Sequence, residues 1–420
     1  MSRRVRYLGR DFNRSSTPPD FAVNKVQSRS AHSLAMLEDA INAGLFRMAV
    51  SKPVKTGVSN WSNPFGLPTW SVVFPLVGMV SIALSLSERG TLGTIAAVIV
   101  LFASVLSAVH QAEVVAHRIG EPFGTLVLAV AVTVIEVSLI VSLMLAEKGE
   151  ASTLARDTVF AAIMIILNFI VGLCILAGSM RHGEQRFTLK GMTAALCVLA
   201  AMATFSLVLP NFTASTPGPT LSSSQLIFVA VVSLILYLTF VFVQTIRHRD
   251  YFLPSDPDAP QNFHAPPPSN QTAIAAFVIM LVALVVVVLL AKAMSNTVEA
   301  AVVGAGLPLT IVGVIIAALV LAPESLAAYR AARLNRLQTS LNLALGSALA
   351  SIGLTIPAVA IASLILGLPL SLGLDAKSMV LLVLSIFVVS LSLGTGRTTV
   401  LQGTVHLVIF ATYLFVSVVP

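Results

Sequence analysis

The chain has 420 residues, of which 56% are apolar and only 10% are charged. Soluble domains carry about a quarter charged residues, so a mean hydropathy of +0.93 argues against a soluble enzyme, a nucleic-acid binder and a disordered scaffold. The net charge of +7 sits almost wholly in residues 1–68, which hold ten Lys/Arg and four Asp/Glu against fifteen and fourteen in the remainder. A basic tail of this kind says little about nucleic acid.

That tail, 1–68, is rich in Arg, Ser, Asn and Pro and reads as a disordered cytoplasmic extension. Its amphipathic stretch at 35–50 is either a weakly helical linker or a membrane-surface helix. Beyond it lie eleven apolar spans, at about 70–86, 92–110, 123–146, 158–180, 191–209, 225–245, 272–294, 307–329, 341–366, 379–394 and 400–418. Each approaches the roughly 20 apolar residues that cross a bilayer. The segment 247–271, with Pro254, Asp256 and Pro260, reads as a cytoplasmic linker. The expected fold is therefore an all-α, polytopic membrane protein of about eleven transmembrane helices. It consists of a peripheral helix (69–90), a first five-helix repeat (91–246), the linker, and a second five-helix repeat (272–420).

Five helices per repeat is an odd number, so the two repeats insert in opposite senses, a plan common among secondary transporters. With the basic tail inside, ten loop Lys/Arg lie on the cytoplasmic side and five (Arg89, Lys148, Arg156, Lys292 and Lys377) outside, as the positive-inside rule requires. The expectation is a multi-pass protein of the cell (inner) membrane with a cytoplasmic N-terminus, surrounded by lipid. No apolar leader suited to cleavage stands at the N-terminus. Cys174 and Cys197 both fall in apolar runs, which argues against a disulfide framework or a zinc knuckle.

The chemistry concentrates on two acids. Glu136 lies about midway along its span, and Glu324 follows Ala322-Pro323 in the second span of the other repeat. An ionised carboxylate at the bilayer centre costs about 2.5–3.5 kcal/mol on insertion scales, and no Lys or Arg occupies the central part of any span. One reading is a pair of carboxyls that merely tie helices together; the other is a shared site. Two carboxylates present hard oxygens and suit a divalent cation such as calcium, which takes 6–8 oxygen ligands. Further ligands would come from hydroxyls such as Thr133 and Ser351, from water, or from carbonyls freed where Pro323, Pro308, Gly304, Gly306 and Gly313 interrupt the helix. Desolvation and mutual repulsion make two bare carboxylates unfavourable, so the pair takes up protons as the cation leaves. Binding a cation or protons, but not both, is the minimal chemistry of cation/proton exchange.

The stretch from Gly120-Glu121-Pro122-Phe123-Gly124 to Thr133-Val134-Ile135-Glu136 resembles the first alpha-repeat of the calcium/cation antiporter superfamily. Gly313 to Glu324, followed by Gly346 to Ser351, resembles the second. The segments Ala116-His117-Arg118 and Thr395-Gly396-Arg397-Thr398 are similar to bacterial calcium/proton antiporters that also exchange sodium or potassium. The resemblance covers about residues 70–420. It implies that Glu136 and Glu324 are the ion-binding and proton-exchanging acids, with Asn168 and Ser351 as ligands from partner helices. The family's Gly-Asn ahead of each glutamate is replaced by Val132-Thr133 and Ala322-Pro323, and the glutamine after Ser351 is missing. Fewer amide ligands weaken strict calcium selectivity and leave monovalent exchange open. The implied function is antiport of cytoplasmic calcium, or alternatively of sodium or potassium, against external protons. It needs no cofactor and no nucleic-acid partner, and the sequence leaves the oligomeric state open.

A second constellation is His110, Glu113, His117 and Glu121, which fall within about 80° on one helix face. It reads as a polar cytoplasmic helix end, as an ion-entry or pH-sensing patch, or as a zinc site whose spacing matches no hydrolase motif. Arg330, Arg333 and Arg336 read as positive-inside anchors and lipid-headgroup contacts, or as part of a gate. Arg397, flanked by glycines and threonines, fits a helix-to-helix turn or a cytoplasmic gate. His406, in the last span, reads as a helix-packing hydrogen bonder or as a member of a proton relay. No Gly-x-Ser-x-Gly, His-Glu-x-x-His or aspartate pair at span depth supports an intramembrane enzyme.

Overall fold

The computed structural model describes residues 66–120, 123–145, 153–253 and 267–419. The tail through residue 65, Glu121, Lys148 and linker residues 254–266 lie outside the described residues. Eleven apolar helices follow in order: α1 Thr69–Ala83, α2 Gly90–Ile119, α3 Phe123–Met144, α4 Leu154–His182, α5 Leu189–Phe212, α6 Ser223–Arg247, α7 Asn270–Gly304, α8 Thr310–Arg333, α9 Leu337–Leu366, α10 Ala376–Leu393 and α11 Val400–Val418. Among the described residues ten of them are long and apolar enough to cross a membrane, while α1 has 15 residues. At 1.5 Å per residue that is about 22 Å, short of the hydrocarbon thickness, so α1 is a peripheral addition to a ten-helix body.

The first five helices of that body, α2–α6, and the last five, α7–α11, correspond in order. Both fifth helices open with the same device: Ser222 with Gln225 starts α6 and Thr399 with Gln402 starts α11, each a reciprocal capping box that satisfies otherwise orphaned backbone groups. Both third helices, α4 and α9, carry a π-type turn near mid-length, at Ile165–Ile170 and Ser351–Thr355. Each third helix packs closely on the fifth helix of the other half. A Cβ at Gly172 of α4 would meet His406 Cβ of α11 at 2.8 Å, and one at Gly353 of α9 would meet Tyr237 Cβ of α6 at 2.4 Å. Small residues at such crossings let membrane helices approach closely.

Two short backbone ties follow the same correspondence. On the linker side, β1 Gln185–Arg186, between α4 and α5, pairs antiparallel with β2 Arg397–Thr398, between α10 and α11. On the opposite side a single bridge joins Thr220, between α5 and α6, to Ser371, between α9 and α10. Exchanging the two halves converts one tie into the other and reverses its side, as a pseudo-two-fold axis in the membrane plane demands.

Helix α4 is the most enclosed element, with Ala161 to Leu167 all buried. Its N-terminus reaches back to Leu154, four residues beyond the apolar run, because Arg156 and Asp157 neutralise each other there at 2.8 Å. Helix α2 lies along α7. Outward positions such as Leu76, Phe228, Val285 and Phe387 are exposed and apolar, a surface suited to acyl chains rather than water.

The break expected at Pro323 does not occur. Helix α8 runs through it without interruption from Thr310 to Arg333. Proline has no N–H, so the Leu319 carbonyl loses its helical partner while the helix continues. Gly304 ends α7, and Gly306 and Pro308 belong to the α7–α8 turn, where Gly306 has φ +69°, a left-handed conformation that glycine adopts without strain. Irregular backbone takes the form of π-type turns, near mid-length in α4 and α9 and towards the ends of α5, at Thr204–Val208, and α6, at Val243–Arg247, a feature frequent at functional positions.

Candidate functional site

Glu136 stands thirteen residues after the start of α3, about 20 Å along the helix at 1.5 Å per residue. Its side chain is 1% exposed and faces α9, which comes from the other half. Thr355 Oγ1 donates to Glu136 Oε2 at 2.8 Å, and Ser351 Oγ approaches the same oxygen at 3.4 Å. Both hydroxyls belong to the π-type turn, which places them together against one carboxylate. Glu324, on the corresponding helix α8, is half-buried. Among the described residues its Oε2 has no hydrogen-bond partner, an arrangement that normally carries a penalty unless a cation, a proton or water meets it.

Both acids line one cavity of about 400 Å³. Its walls are the first half of α3, with Val132 and Thr133, the end of α6, with Tyr237 and Gln244, and the first half of α9, with Asn342 and Ser351. The cavity leads from the glutamates to Arg249 and Phe252, at the start of the linker. There Asn342 Nδ2 donates to the Phe252 carbonyl at 2.6 Å, fixing the segment after α6 against α9. Thr133 Oγ1 donates to its own helix at Ala129 O, 2.8 Å away, so its oxygen lone pairs remain for a ligand. In chemical terms the site offers two carboxylates and several hydroxyls, all hard oxygen donors of the kind that suit alkali and alkaline-earth cations.

Glu136, Glu324, Thr133 and Ser351 are thus brought to one cavity, and Thr355, buried outside its lining, donates to Glu136. Thr355 is the residue that sequence reasoning missed. It lies four positions after Ser351, one turn along the same face, and that spacing was available as a signal. Asn168 does not line the cavity. It sits on the π-type turn of α4, fully buried, with Nδ2 donating to Ser385 Oγ at 2.8 Å and Oδ1 facing His406 Nδ1 at 3.4 Å. His406 Nε2 lies 3.1 Å from Ser392 Oγ, so this histidine is held inside a polar knot between α4, α10 and α11.

Of the second constellation, His110 and Glu113 approach to 3.8 Å, and the His110 ring packs on Trp70 with centroids 5.2 Å apart. His117 is exposed, and Glu121 lies outside the described residues. Among the described residues no three His, Cys, Asp or Glu side chains converge as metal ligands. Glu113 is close enough to Glu324 for their charges to interact, which links this face of α2 to the site. Arg397 is away from the cavity, in the β1–β2 tie, with Nη1 3.1 Å from Glu184 Oε1.

Residues 89–246 and 275–419, one segment in each half, match the family described as sodium/calcium exchanger protein. The chain belongs to that family. Among its relatives, the y4hA protein of Sinorhizobium fredii is 47% identical over 361 residues, covering 84% of this chain and 97% of the relative. The sodium-potassium/proton antiporter ChaA of Escherichia coli is 35% identical over 353 residues, covering 82% and 94%. The fold is that of the solved structure of native YfkE, with a TM-score of 0.63 at 16% identity, covering 83% of this chain and 98% of that one. It is likewise that of the H+/Ca2+ exchanger CAX, with a TM-score of 0.61 at 14% identity, covering 82% and 86%. Family membership and ten membrane-spanning helices make the protein a multi-pass cation antiporter.

Proposed function

We propose that the protein exchanges cytoplasmic calcium for external protons by alternating access, with Glu136 and Glu324 as the carboxylates that hold either the cation or the protons. The observation that carries this reading is that the two acids, one from each half, face a single cavity together with hydroxyls on α9. Among the described residues no lysine or arginine acts on either acid, so charge balance falls to the transported ions. Thr133, Ser351 and Thr355 complete the oxygen set. Asn168 enters it only if its α4 segment turns away from Ser385 and His406. On the positive-inside rule the linker end is cytoplasmic, which makes this conformation inward-facing and places the N-terminus inside the inner membrane.

A second reading, mainly monovalent sodium or potassium/proton exchange at the same site, is favoured by the 35% identity to an antiporter of that name and by the scarcity of amide ligands. Everted vesicles carrying a pH-sensitive dye separate the two. Calcium, sodium and potassium are added in turn to an imposed pH gradient, with Glu136→Gln and Glu324→Gln as controls. Dissipation by calcium at micromolar concentration supports the first reading, and dissipation by the monovalent ions alone supports the second. If both glutamine variants still dissipated the gradient, the two-glutamate site would be wrong.

A further inference from the structure

We infer that Arg156 is the latch of a second access route, closed in this conformation, on the face opposite the linker. The inference rests on the exchange reading above, which requires one route to each side of the membrane.

A smaller pocket of about 160 Å³ lies on that face, lined by Arg156 and Asp157 of α4, Thr310 of α8, Asp375 and Lys377 at the start of α10, and Ser417 of α11. The composition of its walls follows from the pseudo-two-fold. The large cavity is built from the first half of α3, the end of α6 and the first half of α9. Exchanging the halves turns these into the first half of α8, the end of α11 and the first half of α4; the small pocket draws on all three, through Thr310, Ser417 and Arg156, and adds the start of α10 as a further wall. The two spaces are therefore counterparts in an inverted frame, one expanded and one collapsed.

What fills the collapsed one is chemically specific. The third residue of α9 is Thr339, a short hydroxyl side chain on the wall of the large cavity. The third residue of α4 is Arg156. Its Nε donates to Asp157 Oδ1 at 2.8 Å, and its Nη1 donates to the carbonyl of Gly373, in the α9–α10 connection of the other half, at 3.1 Å. Thr153 Oγ1 secures the opposite oxygen of Asp157 at 3.1 Å. The guanidinium thus joins the two halves where the route would part. Release of Gly373 is required before an ion passes. Arg156 acts on transport by position and contacts no cargo in this state.

The sidedness of thiol labelling tests this. In a background with Cys174 and Cys197 replaced by alanine, a reporter is introduced either as Ser417→Cys in the small pocket or as Ser347→Cys in the large cavity. A membrane-impermeant maleimide is applied to right-side-out and to everted vesicles. Arg156→Gln is expected to raise labelling at position 417 from the outer face, and to lower it at 347 from the inner face, each by about fivefold or more, the lower bound of ordinary conformational coupling. Arg156→Lys keeps a charge but cannot hold both partners at once, and should fall between. Gly373→Ala attacks the same bond from its other end, because the added Cβ would meet Asn211 Oδ1 at 2.4 Å and Pro219 Cβ at 2.7 Å, displacing the carbonyl; it should shift both rates in the same directions. Unchanged rates in these variants overturn the latch. So does a rise at 417 without a fall at 347, which marks local loosening alone. Labelling reads conformation without reference to cargo. A parent protein that dissipates no pH gradient would refute the exchange reading and leave this result standing.

Discussion

Glu136 and Glu324 occupy corresponding helices in an inverted frame, yet their surroundings are unlike. Glu136 is enclosed and receives two hydroxyls from α9, whereas Glu324 is half-buried with one oxygen unmet among the described residues. The counterpart of α9 is α4, whose amide at Asn168 is turned to Ser385 and His406 instead. Related sequences in a related frame have therefore settled into two different local states. An antiporter needs that inequality at every instant, since equal openings on both sides would make a leak.

The largest change should come from Glu136→Gln. Removing one partner of a buried charged contact costs about 3–5 kcal/mol, so cation-driven proton flux in vesicles is expected to fall by two orders of magnitude or more. Next come the hydroxyls. Hydrogen bonds to charged groups are worth about 1.5–3 kcal/mol, so Thr355→Val should raise the apparent cation KM about tenfold. Ser351→Ala, acting at 3.4 Å rather than 2.8 Å, should raise it less. If Ser351→Ala had the larger effect, the pairing of Glu136 with Thr355 would have the wrong emphasis.

Helix crossings extend the comparison to stability. Gly172→Ala and Gly353→Ala each drive a methyl group into the fifth helix of the other half, and overpacking typically costs about 1–3 kcal/mol. Gly346→Ala, with nothing within 4 Å of the added Cβ, should leave the melting temperature in detergent unchanged or slightly raised, since alanine favours helix over glycine by about 1 kcal/mol. The smallest effect is expected from Glu184→Gln. It removes an exposed ion pair with Arg397, and such pairs contribute about 1 kcal/mol at most; a shift of the melting temperature matching that of Gly353→Ala would show that the β1–β2 tie matters more than its exposure implies.

The spans were legible in the sequence because apolar runs of this length have few alternatives, and the two acids stood out because nothing basic accompanied them. The true start of α4 was not legible. Arg156 and Asp157 look like the end of a span until they are seen to neutralise each other. Pro323 suggested a broken helix because its missing N–H is visible in the sequence, while the packing that carries α8 through it is not. Thr355 escaped notice because it lies 219 residues from the carboxylate it serves. Asn168 matched the family's pattern, but which way its amide turns depends on His406 and Ser385, far along the chain.

The paired loops carry a final consequence for how the polypeptide holds together. Each half contributes one strand segment to the tie on either face: Gln185–Arg186 against Arg397–Thr398 on one, Thr220 against Ser371 on the other. A protease nick between residues 254 and 266 would sever the covalent bond between the halves and leave both clasps intact. The two fragments should then copurify as one particle, much as the leaves of a book stay together when stitched at head and foot.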